Sequence, residues 1–372
     1  MIELIAKATR KVKAQRLAYN ILSILPSPVL TSIKYPNIGS LHKLYNDPDN
    51  SSICSNFIEE CPKYDLHIII PVYNVEMYVR DCIDSILKQK TEYSYFISII
   101  NDGSTDNSRE VLNVYEHHDN IEIIDQCNAD QASARNKALN YVRGKYIMFV
   151  DSDDRLPENS INPLLQTAER TDADIVEGGY RFFNDAGKIL GVIRNIDSDD
   201  NRHLFGFPWR KVYKSQLWQQ VHFPEGYWFE DTCGWMMILP QAKRMATISD
   251  IVYEYRKNNN STTRRAMHNP KCLCSLYVTR RLLEDRKLMG FPFDEEFYSM
   301  MLHQLGTNCK RIADLGNREI NLLVFEEQMR LMKKYFPIWK EYQTLNRNYK
   351  EIDEAVHENN YKKYQLACLF LN

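Results

Sequence analysis

The sequence predicts an α/β protein with a mostly parallel sheet flanked by helices, and three observations carry that prediction. From Leu66 to about residue 177, short apolar runs alternate with amphipathic helical stretches at the spacing of strand–helix–strand units. Most of these runs give way to polar loops rich in Asp, Asn, Gly and Ser. Beyond Arg264 the alternation is lost and the periodicity turns helical over 273–289, 297–315 and 322–345.

Each element follows from its own residues. His67-Ile68-Ile69-Ile70-Pro71-Val72 is the first strand, running into a loop at Tyr73-Asn74, and Met77, Val79, Cys82, Ile83, Ile86 and Leu87 then recur at helical spacing. Tyr95-Phe96-Ile97-Ser98-Ile99-Ile100 is the second strand and ends at Asn101-Asp102-Gly103-Ser104-Thr105-Asp106; Asn107 and Glu110 stand at capping-box spacing for the next helix. Ile121-Glu122-Ile123-Ile124 is the third strand, 131–142 a helix closed by Gly144, and Tyr146-Ile147-Met148-Phe149-Val150 the fourth strand. Later, Tyr180-Arg181-Phe182-Phe183 and Lys188-Ile189-Leu190-Gly191-Val192-Ile193 flank Asn184-Asp185-Ala186-Gly187 as a hairpin. The expected organisation is an N-terminal extension over 1–64, an α/β domain over 65–265 and a helical region over 266–372.

Right-handed crossovers put the carboxyl ends of parallel strands on one edge. The loops at Tyr73-Asn74, Asp102-Gly103-Ser104 and Asp151-Ser152-Asp153-Asp154 therefore open into one crevice, where open α/β sheets bind ligands. The last of these crowds acids at a strand tip. Like charges so close repel unless a divalent, oxygen-preferring ion neutralises them; a solvated turn with capping Asp residues is the other reading. A calcium-binding EF-hand loop starting at Asp151 is excluded, because Arg155 takes its fifth position, Leu156 stands where glycine is needed, and Asn162 takes the twelfth.

Composition narrows the class. A hydrophobic content of 44% suits a protein that buries a real core, and a net charge of -2 excludes nucleic acid as the main partner. The nine cysteines are odd in number and form no C-x-x-C pair, so reduced thiols in a cytoplasmic protein are expected. Near the start, Lys7, Arg10, Lys11, Lys13 and Arg16 precede an apolar stretch over 17–25. That stretch holds Asn20 and Ser23, ends at Pro26 and Pro28, and falls short of the ~20 apolar residues of a membrane span, so neither a secretory signal nor a membrane span is expected there. A basic helix on anionic lipid and a docked packing helix both stay open.

Ile70-Pro71-Val72-Tyr73-Asn74, Asn101-Asp102-Gly103-Ser104-Thr105-Asp106, Ser133-Ala134-Arg135-Asn136 and Asp151-Ser152-Asp153-Asp154, in this order, resemble the family-2 glycosyltransferases of GT-A (Rossmann-like) fold. Trp209-Arg210-Lys211-Val212-Tyr213, Glu230-Asp231-Thr232, Tyr253-Glu254-Tyr255-Arg256 and Asn260-Ser261 extend the resemblance, which covers about 66–265. It implies an inverting transfer of a sugar from a nucleoside diphosphate sugar, usually a UDP-sugar, to a hydroxyl of a glycan or lipid-linked glycan in surface polysaccharide synthesis. It also implies a divalent ion, Mn2+ or Mg2+, at the leaving diphosphate.

Carried over residue by residue, the resemblance makes Asp153 the metal ligand and places Asp151 and Ser152 at the ribose and metal shell. Asp102 receives the uracil imide, Pro71, Tyr73 and Asn74 line the nucleotide slot, Arg135 contacts the nucleotide, and Lys211 reaches the pyrophosphate. Asp231 becomes the base that takes the acceptor proton, with Glu230 as the other candidate, and His268 an extra metal ligand from a late loop. Each has a plainer reading: turn chemistry for Asp102, core packing for Tyr73, surface cations for Arg135 and Lys211, a helix cap for Asp231, a surface histidine for His268. A nucleotide-sugar binding scaffold without turnover is the alternative to the enzyme. For the extension and the helical region, contact with the inner membrane face, a homo-oligomer interface and simple cover of the catalytic domain stay open.

Overall fold

The computed structural model describes residues 12–24, 39–54, 62–200, 204, 206–257, 268–313, 315–344, 346 and 348–370. The chain divides into two compact units, Asn50–Ser261 and a second made of Met1–Asp49 with Thr262–Asn372. Lys7, Arg10, Lys11, Pro26, Pro28 and the 260–264 segment lie outside the described residues.

The first unit is built on a mixed sheet flanked by helices. Its strands are β1 (Tyr64–Val72), β2 (Tyr95–Asn101), β3 (Ile121–Asp125), β4 (Gly144–Phe149), β5 (Ile175–Phe183), β6 (Ile189–Ile193), β7 (Lys211–Lys214) and β8 (Met245–Arg256), in the order β3-β2-β1-β4-β7-β5-β6 with β8 on β5. The first four are mutually parallel. β7 enters antiparallel between β4 and β5. From His67 to Val72 every residue of β1 is buried, the mark of a central strand covered on both faces, and Ile68, Ile70, Val72, Ile97, Ile99 and Met148 meet Cys82, Ile83, Ile86, Leu164 and Ala168 in one core. The expected hairpin is present as β5 and β6, with Gly187 at φ 74 in its turn.

Three local expectations are corrected. The helix after β3 spans Gln131–Leu139, so Gly144 does not close it; Gly144 opens β4, where an added Cβ would stand 2.3 Å from the His67 backbone nitrogen. Asn107 makes no side-chain cap; Asp106 accepts from the Ser108 amide at 2.9 Å instead. Met77 lies outside the Val79–Leu87 helix and is 77% exposed.

The second unit is helical over Val12–Ile24, Gly39–His42, Cys274–Leu288, Glu295–Ala313, Arg318–Tyr335, Lys350–His357 and Tyr361–Phe370. The helix expected over 322–345 stops at Tyr335, because Pro337 disfavours helical backbone at Phe336. A buried polar chain runs through its core: Ser275 donates to Asn308 at 2.7 Å, Asn308 to Gln328 at 3.3 Å and Gln328 to the Tyr364 hydroxyl at 2.9 Å. Among the described residues no helix is long and apolar enough to cross a membrane.

Candidate active site

The carboxyl ends of β1, β2 and β4 deliver the three polar loops to one edge. Pro71 is buried within β1 although it has no N–H to give. The β1–β4 ladder ends at Ile69–Phe149, with the Val150 amide on the Ile69 carbonyl, so Pro71 stands where β4 has already left and no donor is needed. Asn74 is left-handed at φ 51, a conformation Asn tolerates better than most residues. Its side-chain oxygen accepts from the Thr105 amide at 2.8 Å, and its own amide donates to Ser104 Oγ at 3.2 Å, so it ties the β1 loop to the β2 loop. Tyr73 is 45% exposed, which removes the core-packing reading.

Asp102 is buried beside these groups. Its Oδ1 accepts from Gln126 Nε2 at 2.8 Å and the Ala129 amide at 2.9 Å, and Oδ2 from Asn128 Nδ2 at 3.3 Å. Burial pushes its carboxyl above the ordinary 3.8, and the Gln126 and Ala129 hydrogen bonds pull against that rise. With roughly four acceptor positions on a carboxylate, one on Oδ2 is left for a ligand donor.

The acidic loop after β4 divides by role. Asp154 is buried, accepting from the Tyr253 hydroxyl at 2.8 Å and the Arg256 amide at 2.7 Å, and burial with Asp153 and Asp151 nearby holds its carboxyl well above the usual range. It is an internal brace. Tyr253 also receives the Asp151 amide at 3.1 Å. Asp151 Oδ1 accepts from Arg135 Nη2 at 2.8 Å and Gln131 Nε2 at 3.1 Å. Ser152 is buried and Asp153 half-buried.

Arg135 joins this loop to a distant segment. Its Nη1 donates to Glu230 Oε1 at 2.8 Å, its guanidinium lies 5.1 Å from the Phe223 ring centroid, and its side chain is 3% exposed. The surface-cation reading is thereby excluded. Burial pushes the Glu230 carboxyl up to about 7, with Arg135 opposing and Asp231 adding to the rise. Asp231 is half-buried and more open than Glu230. Phe229, just before the pair, is left-handed at φ 68, and a π-helical turn over Gly234–Ile238 follows, a deviation that clusters at functional sites.

Lys211 is fully buried, its ammonium 2.8 Å from Glu177 Oε2 and donating to the Phe207 carbonyl at 2.6 Å; burial lowers its pKa to about 8. Arg210 Nη2 binds the other Glu177 oxygen at 2.8 Å. The surface-cation reading of Lys211 therefore falls, and in this structure its partners are Glu177 and Phe207. Sequence reasoning passed over Glu177, although an acid within the buried strand Ile175-Val176-Glu177 signals a cation partner. His268 is an exposed residue with φ 62 and belongs to the other unit.

For the implied divalent ion, the hard carboxylate oxygens of Asp153 and Asp151 are the fitting donors. Among the described residues no group of three or more His, Cys, Asp or Glu is arranged to hold a metal. One or two carboxylates suit a hard ion that fills the rest of its shell with phosphate oxygens and water.

Comparison with known proteins agrees with this architecture. The family model described as Glycosyl transferase family 2 matches residues 67–229. The glycosyltransferase GlyG of Streptococcus pneumoniae is 32% identical over 220 residues, covering 54% of this chain and 73% of GlyG. GlyA of the same organism is 33% identical over 261 residues, 63% of this chain but only 37% of GlyA. A crystal structure of S. aureus TarS in complex with UDP-GlcNAc superposes with a TM-score of 0.51 at 17% identity, over 81% of this chain and 89% of that one, a likeness of fold. The matched family model, a relative covered over most of its length and the shared sheet together place this chain in the family-2 glycosyltransferases of GT-A fold.

Proposed function

We propose that the crevice binds a UDP-sugar with a divalent ion and transfers the sugar, with inversion, to a hydroxyl of a glycan or lipid-linked glycan in surface polysaccharide synthesis. One observation carries the reading: buried Arg135 bridges Asp151 on the acidic loop and Glu230 beside Asp231, which unites the groups a single displacement needs at its two ends. The donor class rests on Asp102, whose remaining acceptor position suits an imide N–H, beside exposed Tyr73 and the Asn74 tie.

Asp153, with Asp151, would hold the ion, which when bound neutralises charge on the departing diphosphate. Asp231 takes the acceptor hydroxyl proton: it is the more open of the two acids, while Glu230 is occupied in holding Arg135. Lys211 acts through Glu177 and the Phe207 carbonyl rather than as a free phosphate ligand.

A screen of UDP- and GDP-sugars for Mn2+-dependent hydrolysis and transfer tests the reading. Turnover of a UDP-sugar is expected; tight nucleotide-sugar binding with no turnover across the screen would leave a binding scaffold. Asp231→Asn is expected to bind UDP as wild type and lose at least ~100-fold in transfer, and normal turnover would move the base elsewhere. Asp153→Ala is expected to lose the Mn2+-dependent part of UDP affinity.

A further inference from the structure

We propose that the Phe207 ring is a stacking subsite for a pyranose ring of donor or acceptor, an inference that rests on the nucleotide-sugar reading of the crevice. Phe207 is 39% exposed, yet its ring stacks on Trp209 at 5.1 Å and 10° between planes. Trp209 is buried and stacks in turn on Tyr253 at 4.8 Å and Tyr255 at 5.5 Å. The Tyr253 hydroxyl meets the Asp151 amide and Asp154, so the aromatic stack is rooted in the acidic loop.

The segment carrying Phe207 is held from two other directions. Gly206 packs against the turn that follows Asp231: a Cβ on Gly206 would lie 2.9 Å from Trp235 Cδ1, and one on Gly234 would lie 2.7 Å from the Gly206 carbonyl oxygen. The Phe207 carbonyl receives the buried Lys211 ammonium, itself fixed by Glu177. Phe207 is thus tied through Trp209 to the acidic loop and through Gly206 to the turn after Asp231, and its ring is partly bare. A rigid ring gives up little conformational entropy when a ligand covers it. The apolar C–H face of a sugar is the ligand that suits a flat ring between a diphosphate end and a base; the nucleobase has its own slot at Tyr73 and Asp102.

The test measures Phe207→Ala and Phe207→Trp against wild type in donor hydrolysis without acceptor, in transfer, and in UDP binding. Phe207→Ala is expected to raise the KM of one sugar substrate by about 3–10-fold, with UDP affinity unchanged, a small fall in melting temperature from the lost stack on Trp209, and Phe207→Trp restoring the KM. A rise already seen in hydrolysis assigns the ring to the donor sugar; a rise confined to the acceptor KM assigns it to the acceptor. Unchanged KM values in both assays overturn the subsite, and so does a loss of UDP affinity, which would give the ring to the base. A wild type that turns over no nucleotide sugar sinks the underlying reading and this subsite with it.

Discussion

Arg135 shows how much a single side chain decides at this site. Its fork reaches two carboxylates in different segments, Asp151 and Glu230, while its Nε has no hydrogen-bond partner among the described residues. A lysine carries the charge as one point and cannot span both. Arg135→Met strands two acids and is expected to destabilise the protein by ~2–5 kcal/mol in urea denaturation, whereas Arg135→Lys keeps the fold better and loses transfer. Glu230 gives a pH signature. Its folded pKa of about 7 lies above the ordinary 4.5, so the folded state binds the proton more tightly and Glu230's contribution falls as pH rises from 4.5 to 7. Buried His67, lowered from 6.5 to about 3, works in the opposite sense: its contribution is full above 6.5 and is lost as pH falls toward 3. The two windows overlap, so the informative quantity is a difference. Glu230→Gln is expected to gain stability over wild type progressively between pH 5 and 7.5, and a pH-independent gap in melting temperature would refute the buried, protonatable Glu230. Asp102, Asp151 and Asp153 were legible in the sequence because strand alternation puts their loops at one sheet edge, whereas Arg135, on the helix Gln131–Leu139, was reached only through the family resemblance. The Arg135–Glu230 pair was not, because its members are separated by 95 positions and nothing local to either calls for the other.

At the scale of elements, close backbone approach sets the tolerances. Gly144 lies where β4 meets β1, and any Cβ there meets backbone atoms of Leu66, His67 and Tyr146 within 2.7 Å. Backbone cannot move aside as a side-chain tip can, so Gly144→Ala is expected to destabilise by at least ~1–3 kcal/mol, measured by the denaturation midpoint. At Gly206 the nearest atoms a Cβ would meet belong to the Trp235 side chain rather than to backbone, and a smaller loss is expected for Gly206→Ala. The sequence placed β1 to β4 correctly to within three residues, since period and apolar runs are local properties. It misassigned Gly144 as a helix stop because a glycine needed for close strand approach looks, in sequence, the same as one needed for a turn. The short strand β7 was read only as motif residues: its antiparallel insertion between β4 and β5 is a pairing decision made by the whole sheet.

Over the whole molecule, the proposed chemistry lies within the α/β unit, and the helical unit has a separate core organised by its own polar chain. Adding UDP with Mn2+ is therefore expected to slow amide exchange at 72–76, 101–106, 151–156 and 206–211, while amides in Cys274–Leu288 and Glu295–Ala313 keep their rates. Protection centred on the helices would move the donor site. By itself the sequence determined the strand–helix alternation, the shared edge of the polar loops and the identity of the acids there, because each is written in the period and chemistry of neighbouring residues. Only the tertiary structure decided which partners the acids take, Asp154 accepting from Tyr253 and Arg256 and Asp151 from Arg135. Asp154 was drawn inward to Tyr253 and Lys211 onto Glu177, because desolvating a charge is tolerable only where folding brings a partner from elsewhere in the chain.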